Sequence, residues 1–194
     1  MQLIPFITLK NHKIHPGPTS KTIPDTDLLN QIKTDTPIYF YDLDGITNDK
    51  PNLCLFQKLG TKISLWTDSG PRVLGDIVDT VMAGAHRITL RPPLWTLKTI
   101  ENIQEITEQQ LYIYQDTTNL TSPNTTADGL VFLNQSEKLK NHFKQESYLK
   151  TLSLKTPVYL YDPDKNNYSY WQKLGLTGIL IDLEHYHEYL SHVH

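Results

Sequence analysis

Four aspartates occupy two look-alike positions. Asp42 and Asp44 close the run Thr36-Pro-Ile-Tyr-Phe-Tyr-Asp-Leu-Asp, and Asp162 and Asp164 close Thr156-Pro-Val-Tyr-Leu-Tyr-Asp-Pro-Asp. Six of the nine positions are identical, at an offset of 120 residues. Carboxyls at the ends of buried strands can give and take protons when their surroundings set their pKa values apart. Turn capping is the competing employment, strongest for Asp162-Pro163-Asp164-Lys165-Asn166. Two cations, Lys10 and Arg91, follow other apolar runs and are candidates for holding an anionic ligand. The C-terminus is dense in histidine, but His187 and His192 are five residues apart, a spacing that does not bring both to one helical face for a metal. Neither a metal nor a cofactor is expected. Cys54, among Leu53, Leu55 and Phe56, fits a small core hydrophobe better than a nucleophile.

These residues must be positioned by the elements around them. Eight short runs rich in β-branched and aromatic residues predict buried strands: 3–8, 38–42, 63–66, 87–90, 111–115, 130–133, 158–162 and 179–182. Helical patterns fall between them, at 25–33, 51–59, 75–83, 96–108, 136–149, 168–174 and 185–190. Strands alternating with helices predict a parallel sheet with right-handed crossovers, and eight of them predict closure as a (β/α)₈ barrel. The chain has 194 residues, at the short end for that fold. The Thr/Asn/Pro-rich stretch 116–128 is too short for a crossover helix, so 130–133 could instead return antiparallel beside 111–115. A single domain over 1–194 is expected, with repeat units at 36–70 and 156–184.

Composition narrows the function classes. Lys and Arg total 18 against 21 Asp and Glu, a formal net charge of −3, without the clustered basic charge of a nucleic-acid surface. The single cysteine excludes an internal disulfide and suits a reducing cytoplasm. The N-terminus lacks a basic and apolar leader pattern, and no apolar run approaches a membrane span.

Several motifs follow one another in a familiar order: Ile4-Pro-Phe-Ile-Thr-Leu-Lys-Asn-His-Lys, Tyr39-Phe-Tyr-Asp-Leu-Asp-Gly-Ile, Trp66-Thr-Asp-Ser-Gly-Pro-Arg and Ala83-Gly-Ala-His-Arg-Ile. Together they resemble the HisA/HisF-like histidine-biosynthesis barrels, whose sequences carry "IPxIDLKNGK", "VDLDGA", "GGGIR" and "AGAxRVVIG" in that order. The nearest look is to a divergent branch found alongside tetrahydromethanopterin-linked one-carbon metabolism. The resemblance implies a barrel with an internal half-barrel repeat, which the offset of the repeated strand would fit.

It also implies a chemistry. Family isomerases use an Asp at the end of the first strand and another at the end of the fifth to open a ribose ring and move protons. Here the first position is Thr8, which has no carboxyl, and the fifth falls at Gln115 or Asp116. The family's first phosphate-binding turn corresponds to Ser69, Gly70 and Arg72, and its second to Asp182-Leu-Glu-His, which lacks glycine and carries two acids. The expected ligand is a small phosphorylated sugar or heterocycle precursor at the barrel mouth. Asp42, Asp116 and Asp162 are the candidate proton carriers, with Thr8 at the family's catalytic position. The alternative is a non-catalytic accessory member acting through a protein partner in one-carbon cofactor metabolism; homo-oligomers are also possible.

Overall fold

The computed structural model describes residues 1–18, 20–32, 36–92, 95, 97–116, 126–133 and 143–193. Eight parallel strands form its frame: β1 (Gln2–Lys10), β3 (Pro37–Asp42), β4 (Ser64–Asp68), β5 (Ala85–Leu90), β6 (Gln110–Tyr114), β7 (Gly129–Phe132), β8 (Val158–Tyr161) and β9 (Gly178–Asp182). They pair in chain order, and β9 pairs back to β1 from Gln2 against Gly178 to Phe6 against Asp182. The sheet is therefore closed, as an α/β barrel of the (β/α)₈ type. All eight predicted strands are present. β7 lies parallel to both β6 and β8, so residues 130–133 continue the barrel and form no hairpin with 111–115.

Eight helices are described: α1 (Asp25–Gln31), α2 (Leu43–Asn48), α3 (Leu53–Gly60), α4 (Leu74–Met82), α5 (Leu97–Ile106), α6 (Phe143–Ser153), α7 (Tyr168–Lys173) and α8 (Leu183–Val193). The sequence pattern had no signal for α2, which begins straight after β3 with Asp42 as its cap. The predicted 136–149 helix lies partly outside the described residues; what is described runs Phe143–Ser153. Cys54 is exposed on α3 rather than buried, because that helix turns Phe56 and Leu59 inward instead.

Two layers of core follow from strand alternation. Ile7, Leu9, Ile38, Phe40, Leu65, Ile88, Leu111, Leu130, Leu160 and Ile179 point outward and pack beneath the helices. The alternate residues fill the lumen: Ile4, Phe6, Tyr39, Trp66, Tyr112, Val131, Tyr159 and Leu180 form one cluster without a single helical residue. Aromatic rings fill most of that lumen. Trp66 packs against Tyr39, Tyr112 and Tyr159 at centroid distances of 5.1, 4.2 and 4.8 Å. Two glycines make room for them: a Cβ on Gly178 would lie 2.8 Å from the Tyr159 ring, and one on Gly129 would lie 3.0 Å from Tyr112.

One further strand, β2 (Lys13–His15), folds back antiparallel on β1 through a tight turn at Asn11 and His12, whose φ angles are +52° and +58°. Positive φ at both central residues is the two-residue hairpin geometry that matches strand twist.

The repeated segments occupy the second and seventh barrel strands. They stand five positions apart, whereas a half-barrel duplication would set them four apart. The likeness of the copies has a local cause. In each, two tyrosines at alternate positions enter the lumen while the following Asp turns outward to cap the next turn.

Candidate active site

The mouth of the barrel, at the C-terminal ends of the strands, is where such folds do chemistry. Strand parity decides which carboxyls reach it. On β3 the lumen residues are Tyr39 and Tyr41, so Asp42 faces the helices with Phe40. It is fully buried there and accepts hydrogen bonds from the Gly45 amide (3.2 Å), the Asn52 amide (2.7 Å) and Asn52 Nδ2 (2.7 Å). Burial pushes its pKa up, against the pull of those bonds.

Asp162 repeats the arrangement on the outer side of β8. It is fully buried and accepts from the Asp164 amide (2.9 Å), Asn167 Nδ2 (2.8 Å) and Trp171 Nε1 (2.6 Å). Asp44 holds the β1–β2 turn, accepting from the amides of Asn11 and His12 at 2.9 Å each. Burial alone would raise its pKa, but those amides and Asn52 bring it below the usual value. Asp42 and Asp162 thus sit behind the barrel wall, in networks that fix loops.

The carboxyls that do face the mouth are Asp68 and Asp182, each two residues beyond a lumen residue (Trp66 and Leu180) on the same strand. Asp68 is fully buried. Arg91 grips it through two hydrogen bonds, Nε to Oδ1 at 2.7 Å and Nη2 to Oδ2 at 2.6 Å, and the Tyr39 hydroxyl donates to Oδ2 at 2.8 Å. The Arg91 guanidinium also lies over the rings of Tyr114 (4.2 Å) and Tyr41 (5.3 Å). Burial works against its charge, but the Asp68 carboxylate outweighs it and raises the pKa further.

Asp182 is 3% exposed. Tyr161 donates its hydroxyl to Oδ2 at 2.7 Å. Burial pushes the Asp182 carboxyl up to about 6, with Glu184 adding to the rise and Tyr161 and His185 opposing it. Thr8 lies two residues further along β1 than Phe6, the registered partner of Asp182. Asp116 follows Tyr114 at the same rim, and its charge helps raise the tyrosine's pKa after the larger effect of burial. Lys10 is exposed at the β1–β2 turn.

The turn after β4 is built differently from an open anion cradle. Gly70 has φ +66°, and a Cβ there would sit 2.9 Å from Ile46 Cα. The amides of Arg72 and Val73 donate to Asp76 Oδ2 at 2.7 and 3.0 Å. The Arg72 side chain points back to the end of α2, donating to the carbonyls of Gly45, Ile46 and Gly70 and to Asp49 at 2.6 Å. An anion at Ser69–Arg72 would have to displace the Asp76 carboxylate. Beyond β9, α8 begins at once, and its Glu184 amide donates to the Pro16 carbonyl.

Among the described residues, no group of three or more His, Cys, Asp or Glu side chains is arranged to hold a metal. Again among those residues, no helix is long and apolar enough to cross a membrane.

Sequence reasoning thus found the strand ends and Asp116 at the rim, but Asp42 and Asp162 lie on the opposite face. Asp68 and Asp182 were both visible, each sharing strand parity with Trp66 or Leu180, but parity alone does not say which face is the lumen.

Fold and rim together define an α/β barrel with its candidate site at the C-terminal mouth. N-(5'-phosphoribosyl)anthranilate isomerase from Pyrococcus furiosus shares the fold, with a TM-score of 0.57 at 10% identity over 80% of each chain. The native KDPGal structure matches at 0.56 and 12% identity, over 93% of this chain and 82% of that one. Dihydrodipicolinate synthase from Aquifex aeolicus matches at 0.50 and 10%, over 98% and 75%. At these identities the likeness is one of fold. No protein-family model matches the chain, and no curated protein matches it significantly. The HisA/HisF resemblance therefore stands at the level of the shared barrel.

Proposed function

We propose that this chain is a small barrel enzyme, of HisA/HisF-like ancestry, that moves a proton at a carbon next to a carbonyl in a small hydroxylated substrate. Asp182 is its acid–base group. One observation carries the reading: a lumen-facing carboxyl at the barrel mouth, almost fully buried and held by the Tyr161 hydroxyl, with burial pushing its pKa up to about 6. A carboxyl so poised can both accept and return a proton near neutrality. Its strand pairs with β1, which carries Thr8, so the rim retains a carboxyl although the first strand has none.

The proton balance is simple. The Asp182 carboxylate takes the proton from the carbon beside the carbonyl, and the electron pair moves into the C–C–O system to give an enediolate. A hydroxyl proton shifts between its two oxygens, and protonated Asp182 returns its proton to the former carbonyl carbon. Arg91 stands across the mouth from Asp182, four strands around the barrel, and supplies N–H groups to the developing oxyanion. Asp116 is a second carboxyl at the rim. Asp42 and Asp162 contribute by holding the loops. Likeness of fold to a barrel named as an isomerase is in keeping with this reading.

The test is solvent-deuterium incorporation, followed by NMR, into hydroxy-aldehydes and hydroxy-ketones with and without phosphate. Wild type should exchange the proton beside the carbonyl, with a rate that rises through pH 6. Asp182→Asn should lose at least 100-fold. Equal exchange by both proteins would refute the role of Asp182.

An accessory role is the second reading, favoured by an apolar strip on α4. Leu74, Val78 and Met82 are exposed there after Val73 at the N-cap, and Val78 and Met82 line a shallow groove with Ile106 of α5. Exposed apolar patches of this kind mark contact surfaces. Absence of exchange in every substrate, together with stable self-association or partner binding lost on Met82→Lys, would favour it.

A further inference from the structure

The wall opposite Asp182 specifies the kind of molecule that the mouth accepts. Asp68 spends both oxygens on Arg91 and Tyr39, so one edge of the guanidinium is neutralised and immobilised. Tyr114 and Tyr41 lie against the guanidinium. Arg91 Nη1 has no hydrogen-bond partner among the described residues, on a side chain 17% exposed. Its two N–H groups are thus a fixed donor pair whose net charge is already cancelled by Asp68.

Such a pair suits a carbonyl oxygen. A phosphate dianion needs net positive charge, which the described residues of the rim do not supply. Against Arg91 and Lys10 stand Asp68, Asp116 and Asp182, with Glu184 adding negative field at Asp182. In the turn after β4, the amides of Arg72 and Val73 are closed to a phosphate, because Asp76 holds both. The remaining wall supplies hydroxyls from Thr8, Tyr41 and Tyr161, which exchange hydrogen bonds with neutral hydroxyl groups.

We propose that the mouth binds an unphosphorylated polyhydroxy carbonyl compound, its carbonyl oxygen accepting from Arg91 Nη1 and its hydroxyls meeting Thr8, Tyr41 and Tyr161. This rests on the acid–base reading of the same site and narrows its substrate class. Arg91 is a binding residue, and Asp68 is a positioning residue that acts through it.

The experiment is ligand-observed NMR titration of the full chain with dihydroxyacetone, erythrulose and ribulose, and with dihydroxyacetone phosphate, ribulose 5-phosphate and inorganic phosphate. At least one neutral compound should bind about tenfold more tightly than its phosphorylated counterpart. The paired replacement Asp68→Asn with Arg91→Gln leaves no unpaired buried charge, and should weaken that binding at least tenfold. The single change Arg91→Lys, which keeps the charge but loses the fork, should weaken it as well.

Tighter binding of the phosphates, binding indifferent to both Arg91 variants, or failure of every neutral compound to bind would overturn the inference. The two proposals fail separately. Exchange confined to phosphorylated substrates would remove the ligand class and leave the acid–base role, whereas neutral binding without exchange would do the reverse.

Discussion

Replacing Asp182 by Asn should stabilise the protein, and only above a definable pH. The carboxyl's pKa rises on folding from 3.8 to about 6, chiefly because burial disfavours its charged form. Between those values the native state binds more protons than the unfolded chain, so this group's contribution to stability falls as pH rises through the window. The shift corresponds to ~3 kcal/mol at ~1.4 kcal/mol per unit, reached once pH is well above 6. Asn mimics the neutral carboxyl and can still accept from the Tyr161 hydroxyl, so the variant avoids the loss. The difference between variant and wild type should therefore be pH-independent below about 3.8, grow through pH 4–7 and level off near ~3 kcal/mol. For a chain of this size that is a rise of ~6–12 °C in Tm at pH 8. Urea unfolding followed by circular dichroism from pH 3.5 to 8 measures the difference directly. Glu184 and His185 lie in the same field, so the transition could broaden, but its direction is fixed. A variant whose stability tracks wild type at every pH, or falls below it at pH 8, would refute the buried-carboxyl account. A stabilised variant that has also lost proton exchange would show that the site's strain is tied to its chemistry.

Other residues give sharper structural tests. Asp42→Ala orphans the Gly45 and Asn52 amides behind the barrel wall and should cost ~2–5 kcal/mol in urea unfolding, while ligand binding by the folded fraction stays within about twofold of wild type. Gly178→Ala drives a methyl into the Tyr159 ring and should cost ~1–3 kcal/mol, with Tyr159→Leu recovering part of the loss in a double-mutant cycle. Arg72→Ala removes the donors that close the end of α2 and should lower Tm by a few degrees, about 1–2 kcal/mol. Adding 10 mM phosphate should leave the wild-type Tm unchanged, because Asp76 already fills the turn; a clear rise would restore an anion site at Ser69–Arg72.

Much of the architecture was legible in the chain. Eight short β-rich runs spaced by helical patterns gave the number and order of the barrel strands, since local propensity and periodicity act over a few residues. The repeated Tyr-x-Tyr-Asp was legible too, as was the missing carboxyl at Thr8. What the chain left open was which side of each strand faced the lumen. In a parallel barrel both faces of a strand are buried and apolar, so alternation separates two faces without naming them. Closure of β9 onto β1 names them. It sent Asp42 and Asp162 outward beneath the helices, and turned Asp68 and Asp182 inward to the mouth. The partners that set their chemistry come from neighbouring strands 21 to 29 residues away in sequence, as with Tyr161 for Asp182, Arg91 for Asp68 and Tyr39 for Asp68. No local pattern encodes such pairs; they exist only once the cylinder is shut.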